Sequence, residues 1–369
     1  MLERINLKGY KSFRELDLAL GSINLLIGAN GSGKSNFISL FTMLNRMMNE
    51  ELQIYVAQAG GADQILHYGR KVTERLELEL WFQQEKNLAN GYTCHLIPVE
   101  DTLFVTREVT FFHDRARYPT PYQDLIHTGI AQECQLPQWA QRRGRVYRYV
   151  YDAIHSWQLY HFHDTSPSAR VKRPGSIHDN RFLLPDAGNL AAYLYLLREQ
   201  FPQRYRTIVE TIRLAAPFFG DFILRPQPLN PETIRLEWRE RGSDLTFGPN
   251  ALSDGTLRFI CLTTLLLQPP ELLPATIVLD EPELGLHPYA IVLFANMVHS
   301  AAEHTQVVLT TQSVSLVNQF TPQEILVVDR VEGVSTIRRL EGSEIAHWLE
   351  DYSLGDLWEK NILGGRPAL

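Results

Sequence analysis

Apolar positions along the chain change their spacing several times, and each change predicts an element. The opening reads as strand, turn, strand through "RINLKGYKSF" and "LDLAL", followed by the apolar strand "INLLIG". From Lys34 the spacing becomes three and four. Phe37, Leu40, Phe41, Leu44, Met47 and Met48 then share one face of a helix through "KSNFISLFTMLNRMMNE". Beyond the glycine turn "AGGADQILHYGRK", the runs "RLELELWF", "YTCHLIPV" and "LFVTREVTFF" alternate and predict an antiparallel sheet.

Residues 115–185 carry Pro119, Pro121, Pro137, Pro167, Pro174 and Pro185, so no continuous long helix runs through them. Helical spacing returns at Asn189 in "NLAAYLYLLREQFPQRYRTIVETIRLAAP", broken near Pro202. A strand "ETIRLEWRE" sets Ile234, Leu236 and Trp238 against charged neighbours. The loop "ALSDGT" opens a helix with Ser253 at the N-cap. The strand "ATIVLD", the helix "PYAIVLFANMVHSAAE", the strands "QVVLTT" and "EILVVDR" and an amphipathic tail complete the chain. Strands alternating with helices in this half predict a parallel sheet covered on both faces.

Composition narrows the class. A chain of 369 residues, 44% hydrophobic and 21% charged, is globular material. It shows no run near the roughly 20 apolar residues of a membrane span and no apolar centre of a secretory signal, so a cytoplasmic protein that uses no membrane is expected. Cys94, Cys134 and Cys261 fit reduced thiols. The net charge of −7 argues against a generally basic coat for nucleic acid, yet residues 115–173 hold nine Lys/Arg against four acids, a local basic surface.

Three motifs carry chemistry. "GANGSGKS", Gly28 to Ser35, has the P-loop spacing between an apolar strand and an amphipathic helix. Backbone N–H groups around Asn30, Gly31, Ser32, Gly33 and Asn36 would turn onto phosphate oxygens. Lys34 would reach the β and γ phosphates of ATP, and Ser35 would take one Mg²⁺ position. "TIVLDEPE" ends a buried strand in acids, with Asp280 placed to hold Mg²⁺ and Glu281 to activate water. The same acids also suit a helix start ahead of Pro282. "VVLTTQSVS" ends another strand, where Gln312 would reach the γ-phosphate or its water.

The order P-loop, "LSDGT", "VLDEPELGLHP", "LTTQS" resembles the ABC-type ATPase heads of the RecF, SMC and OLD group. The opening "INLKGYKSF…INLLIGANGSGKSN" and the tail "WLEDYSLGDLWEKNILGGRP" are similar to its stand-alone bacterial "predicted ATPase" branch. The resemblance implies an α/β P-loop NTPase: one ATPase head over residues 1–369, with a mixed or parallel sheet flanked by helices, an N-terminal antiparallel lobe and an inserted segment at 115–185. It implies an ATP-dependent head-to-tail homodimer in which Ser253 and Gly255 contact ATP held by the other copy. It also implies a glutamine that contacts Mg²⁺, for which Gln64 is the candidate, and nucleotide contacts near Lys11 and Ser12.

This chain departs from the wider pattern at Asp254, where many signatures carry glycine, at Gln312, where transporters carry histidine, and at His287, in the place of a D-loop aspartate. An amide takes up no proton near neutral pH, so slow turnover is expected. "HFHD" (His161, His163, Asp164) has metal-ligand residue types without supporting spacing. The arginines of "QRRGRVYRYVY" alternate with aromatics, as on single-strand nucleic-acid surfaces and on many solvated faces. About 217 residues lie between P-loop and signature without sustained heptads, which excludes long coiled-coil arms, and no TOPRIM-like acids follow. The partner classes that remain are DNA, in repair or antiviral defence, and a separate effector protein such as a nuclease. A transporter motor is a distant third.

Overall fold

The computed structural model describes residues 1–365; residues 366–369, which include the Arg-Pro of the expected tail, lie outside the described residues. The chain begins with β1 (Leu2–Tyr10), β2 (Phe13–Ala19), β3 (Ile23–Ile27) and α1 (Lys34–Met48). All six residues of the apolar face expected for α1 are buried. The short helix α2 (Leu52–Ala59) follows, stopped by Gly60 in the left-handed conformation. The alternating runs form β4 (Leu76–Glu85), β5 (Leu88–Val99) and β6 (Thr102–Asp114), and β7 (Tyr122–Ala131) extends them. Together they make an antiparallel sheet in the order β2-β1-β4-β5-β6-β7.

The proline-rich stretch then builds α3 (Leu136–Arg143), α4 (Val146–His155) and β8 (Gln158–Tyr160), and later β9 (Gly175–Ser176). Residues 115–185 therefore supply an edge strand to each large sheet. The arginines of "QRRGRVYRYVY" lie on two helices and the turn between them rather than along a strand: Arg142, Arg143, Arg145 and Arg148 are exposed, while Tyr147 and Val150 face inward. Next come α5 (Leu190–Gln200) and α6 (Pro202–Ala215), parted at Pro202 as the pattern predicts. The small strands β10 (Phe219–Phe222), β11 (Pro226–Gln227), β12 (Asn230–Ile234), β13 (Trp238–Glu240) and β14 (Thr246–Phe247) follow.

The single strand expected over "ETIRLEWRE" is in fact two. Ile234 pairs in one three-stranded sheet with Gly175 and Pro226, and Trp238 pairs in another with Phe222 and Phe247. The apolar alternation survives the break because Ile234, Leu236 and Trp238 all enter the same core. Trp238 is fixed there by stacking on Phe219 and Phe247 and by its Nε1–H donating to the Gly248 carbonyl at 3.2 Å.

The last third runs α7 (Asp254–Leu267), β15 (Thr276–Asp280), α8 (Pro288–Ala301), β16 (Gln306–Thr310), α9 (Val314–Val317), β17 (Ile325–Val331), β18 (Val334–Arg339), α10 (Gly342–Ile345) and α11 (Leu354–Glu359). The second large sheet has the order β18-β17-β3-β16-β15-β8, parallel except for β18. Its strands are apolar on both sides, and the pleat divides them between two cores. Ile277, Leu279, Val307 and Leu309 enter the core covered by α5 to α8. Val278, Val308, Leu326 and Val328 enter the core shared by α1, α4 and the antiparallel sheet. The antiparallel lobe is thus packed on one face of the parallel sheet.

One buried acid ties this lobe together. Glu108 of β6 is fully buried and accepts hydrogen bonds from Tyr92 Oη (2.7 Å) and from the Gln135 (2.6 Å) and Leu136 (3.4 Å) amides, which satisfies the open N-terminus of α3. Burial raises its pKa, and the hydrogen bonds oppose that shift. The folded state thus holds the proton more tightly than the unfolded chain, and the carboxyl's contribution is lost as pH rises above the usual 4.5. Glu108→Gln keeps an acceptor for α3 and removes the charge. Melting followed from pH 4.5 to 7 should show the parent losing stability relative to the variant; parallel curves would refute this.

Candidate functional site

The parallel strands stop together, and the polar motifs begin where they stop. Thr310 at the end of β16 is paired with Leu26 of β3 on one side and with Asp280 of β15 on the other. Carboxyl ends of adjacent parallel strands form the usual ligand crevice of such a sheet.

Leaving β3, residues 28–33 wrap to the start of α1 through three glycines with φ of 156°, 77° and 121° (Gly28, Gly31, Gly33). A methyl group on Gly28 would lie 2.4 Å from the Val328 carbonyl oxygen, so this backbone is pressed against β17. Lys34, 6% exposed, donates to the Gly28 (2.5 Å) and Ala29 (3.0 Å) carbonyls. Burial lowers its pKa, and Glu281, Asp280 and Glu283 oppose the shift. Asn30, Gly31 and Ser35 are exposed at the rim. The loop is braced from outside its own motif: Ser335 Oγ donates to the Ser32 carbonyl (2.5 Å), and Arg330 donates to the Gly31 carbonyl (3.1 Å). The "GYKSF" turn is part of that brace. Buried Ser12 accepts from Asn36 Nδ2 (2.8 Å), and its carbonyl accepts from the Ser335 amide (2.7 Å).

The acids of β15 are held by β16. Thr310 Oγ1 donates to Asp280, and the Glu281 amide donates to Thr310 O (3.2 Å) and Oγ1 (3.1 Å). Glu281 takes a φ of 43°, a left-handed conformation of the kind that costs a non-glycine residue about 1–2 kcal/mol, which this network sustains. Gln312 Nε2 donates to Glu281 Oε1, which joins the two side chains expected to handle water. Buried Glu283 accepts from Thr311 Oγ1 and from the Gln312 amide (3.3 Å), while its Oε2 has no partner; burial raises its pKa. On the outer side of β15, His163 Nε2 meets the Asp280 carbonyl at 2.9 Å. His161 follows the Tyr160–Leu279 pair and feels the Asp280 carboxylate, and burial lowers its pKa.

Ser253 caps α7, its Oγ accepting from the Thr256 amide at 3.2 Å. Gly255 leaves no room for a side chain, since a methyl there would lie 2.3 Å from the Gly285 carbonyl. Arg258, one turn on, donates to the Leu284 (2.7 Å) and His163 (3.0 Å) carbonyls. The start of α7, the "ELGLH" loop and the segment after β8 therefore form one body. Among the described residues, no hydrogen bond or ion pair joins residues 252–256 to residues 28–36.

Lys34, Asp280, Glu281 and Gln312 thus converge, whereas among the described residues Ser253 and Gly255 share no hydrogen bond or ion pair with them. Gln64, exposed at the end of a single helical turn (Ala62–Gln64), lines a separate cleft with Lys11, Ser12, Asn36, His67 and Arg330. Glu283, Arg258 and Ser335 escaped sequence reasoning. For "HFHD" the signal was present but not its location, because a three-residue strand gives no period from which to predict that it pairs beside β15. Among the described residues no group of three or more His, Cys, Asp or Glu forms a metal cage. Ser35 and Asp280 instead offer the few hard oxygen donors that suit Mg²⁺ when phosphates complete its shell.

A P-loop at the carboxyl end of a parallel sheet, with paired acids at the end of β15 and β16 lying between, and a capped helix at the signature-like loop, is the arrangement of a P-loop NTPase fold. Comparison with known proteins agrees. Residues 141–318 match the family described as "AAA domain, putative AbiEii toxin, Type IV TA system", a range that begins beyond the P-loop. An Smc head bound to the C-terminal winged-helix domain of ScpA superposes with a TM-score of 0.61 at 16% identity, over 93% of this chain and 99% of that one. The Smc head with an extended coiled coil from Pyrococcus furiosus, bound to the C-terminal domain of ScpA, gives 0.56 at 17%, over 95% and 98%. No curated protein matches. The chain has the fold of an SMC-like ABC ATPase head, a nucleotide-binding fold. No helix among the described residues is long and apolar enough to cross a membrane.

Arg258→Met removes two charged hydrogen bonds, one from α7 to Leu284 in the "ELGLH" loop and one to the His163 carbonyl. It should cost about 2–4 kcal/mol of stability and speed amide exchange across residues 282–287. Unchanged exchange there would show that Arg258 does not hold the loop.

Proposed function

We propose that the protein is a Mg²⁺-dependent ATPase whose active unit is a head-to-tail pair of identical chains. The observation that carries this reading is the separation of the site into two surfaces. The P-loop, Asp280, Glu281 and Gln312 lie at the carboxyl ends of neighbouring parallel strands, and the start of α7, capped by Ser253 with Ser253 and Asp254 exposed, has no hydrogen bond or ion pair to any of them among the described residues. A second copy facing the first supplies what each half lacks, the free N–H groups and positive end of α7 over the phosphate.

Within the pair, Lys34 and the backbone of residues 28–36 bind the triphosphate. Ser35 and Asp280 hold Mg²⁺, which when bound neutralises phosphate charge. Glu281 accepts the proton of the attacking water, and Gln312, bonded to that carboxylate, orients both. Gln64 is retained as a candidate Mg²⁺ contact from its place beside Asn36 in the neighbouring cleft. Glu281→Gln should lower hydrolysis by about 10²–10⁴ while ATP drives the chain into a lasting dimer, read by sedimentation. A variant that binds ATP and stays monomeric would refute the shared site.

The cycle acts on DNA in this reading, in repair or in defence against foreign DNA. Support comes from Arg142 and Arg143 of α3, Arg145 in the turn that follows and Arg148 of α4, all exposed, with Arg143 lying over Trp139 at 4.4 Å. Duplex or single-stranded DNA should raise the ATPase rate. The log of affinity should fall against log salt with a slope of about −3 if most of these arginines meet phosphates. Absence of any DNA response, with stable co-purification of a protein, would favour the other reading, a nucleotide-gated scaffold for a separate effector such as a nuclease. That reading has its own support, since both Smc heads above are complexes with a ScpA domain.

A further inference from the structure

The signature loop of this chain carries an aspartate, Asp254, at the first position of α7, where a negative charge opposes any phosphate that the helix end would attract. The fold brings a cation to that carboxylate. The helical turn Arg170–Lys172 packs against the turn Pro249–Ala251 that leads into the signature. Lys172, its side chain 7% exposed, ends with Nζ 3.9 Å from Asp254 Oδ1, whose own side chain is 65% exposed. At that separation the pair is ionic without a hydrogen bond, so none of the three ammonium donors is used by the carboxylate. The stem is buried while the ammonium at its end stays at the surface, free to reach a further acceptor. The neighbouring charges extend the same surface: Arg173 is exposed and, with Lys172, lowers the pKa of Asp164, whose larger stabilisation comes from Ser166.

We propose that Lys172 is the cation of the signature surface, steered by Asp254, and that in the head-to-tail pair it donates to the terminal phosphate bound by the P-loop of the other copy. This assignment rests on the shared-site reading above. It gives the segment at 115–185 a direct part in the reaction of its neighbour. It also accounts for Asp254: the carboxylate faces phosphate only as half of an ion pair, and it holds a flexible ammonium in place.

The test uses Lys172→Met and Lys172→Arg in the full chain carrying Glu281→Gln. Nucleotide binding by the isolated chain, read with a fluorescent ATP analogue, should change little. ATP-driven dimerisation, read by sedimentation, should weaken roughly ten- to hundredfold with methionine, the loss expected for a charge-assisted hydrogen bond, and recover with arginine. A lysine that served the P-loop of its own chain would behave differently when chains are mixed, since neither P-loop of the mixed pair would then be whole. In chains that keep Glu281, Lys172→Met with an intact P-loop and Lys34→Ala with an intact Lys172, each inactive alone, should regain hydrolysis together, because one composite site is then whole. If Glu281→Gln alone fails to dimerise with ATP, the paired mechanism is wrong and the role of Lys172 falls with it. If Glu281→Gln dimerises and Lys172→Met leaves that dimer equally tight, or the mixture stays inactive, the shared site stands and the assignment to Lys172 is overturned.

Discussion

The common register of β3, β16 and β15 is the constraint on which the site depends. These strands are apolar on both faces and buried in two cores, so a slip of one residue would exchange every side chain between cores of different shape. Locked in this way, they bring Leu26, Thr310 and Asp280 level with one another. The P-loop, the acids and the glutamine then leave the sheet at the same height. Chemistry that needs placement within a fraction of an ångström is thus anchored to the most rigid part of the molecule.

Around that anchor, a second set of contacts links regions far apart in the chain. Thr310 and Thr311 hold Asp280 and Glu283, and Glu283 accepts from the amide of Gln312, whose side chain reaches Glu281. Arg258 joins the helix behind the signature to the loop after the acids and to the segment after β8 that carries His163. The P-loop has its own brace from β18 through Ser335 and from the first turn through Ser12, so the two terminal regions of the sequence meet at the phosphate-binding loop.

The parts of the site that were legible in the sequence are those whose chemistry is contiguous. Gly28 to Ser35, Asp280, Glu281 and Gln312 each lie in a short motif at the end of an apolar run, and a motif in that context states its own geometry. Ser253 was legible as a cap because an N-cap is decided by its own next three residues. Lys172, Arg258 and Ser335 carried no such mark. Each matters only through a partner tens or hundreds of residues away, and an isolated Lys, Arg or Ser is unremarkable in a sequence.

The sequence by itself determined the type and order of the large elements, because hydrophobic spacing is local and survives whatever the strands pair with. It set the helix after the P-loop, the buried strands before the acids and the alternation of the antiparallel lobe. Tertiary structure alone decided that "ETIRLEWRE" breaks into two sheets, that the proline-rich stretch gives an edge strand to each large sheet, and that β8 runs beside β15. Those outcomes depend on which distant surface a short apolar segment buries itself against. That choice is made by packing among many elements at once, and no local period records it.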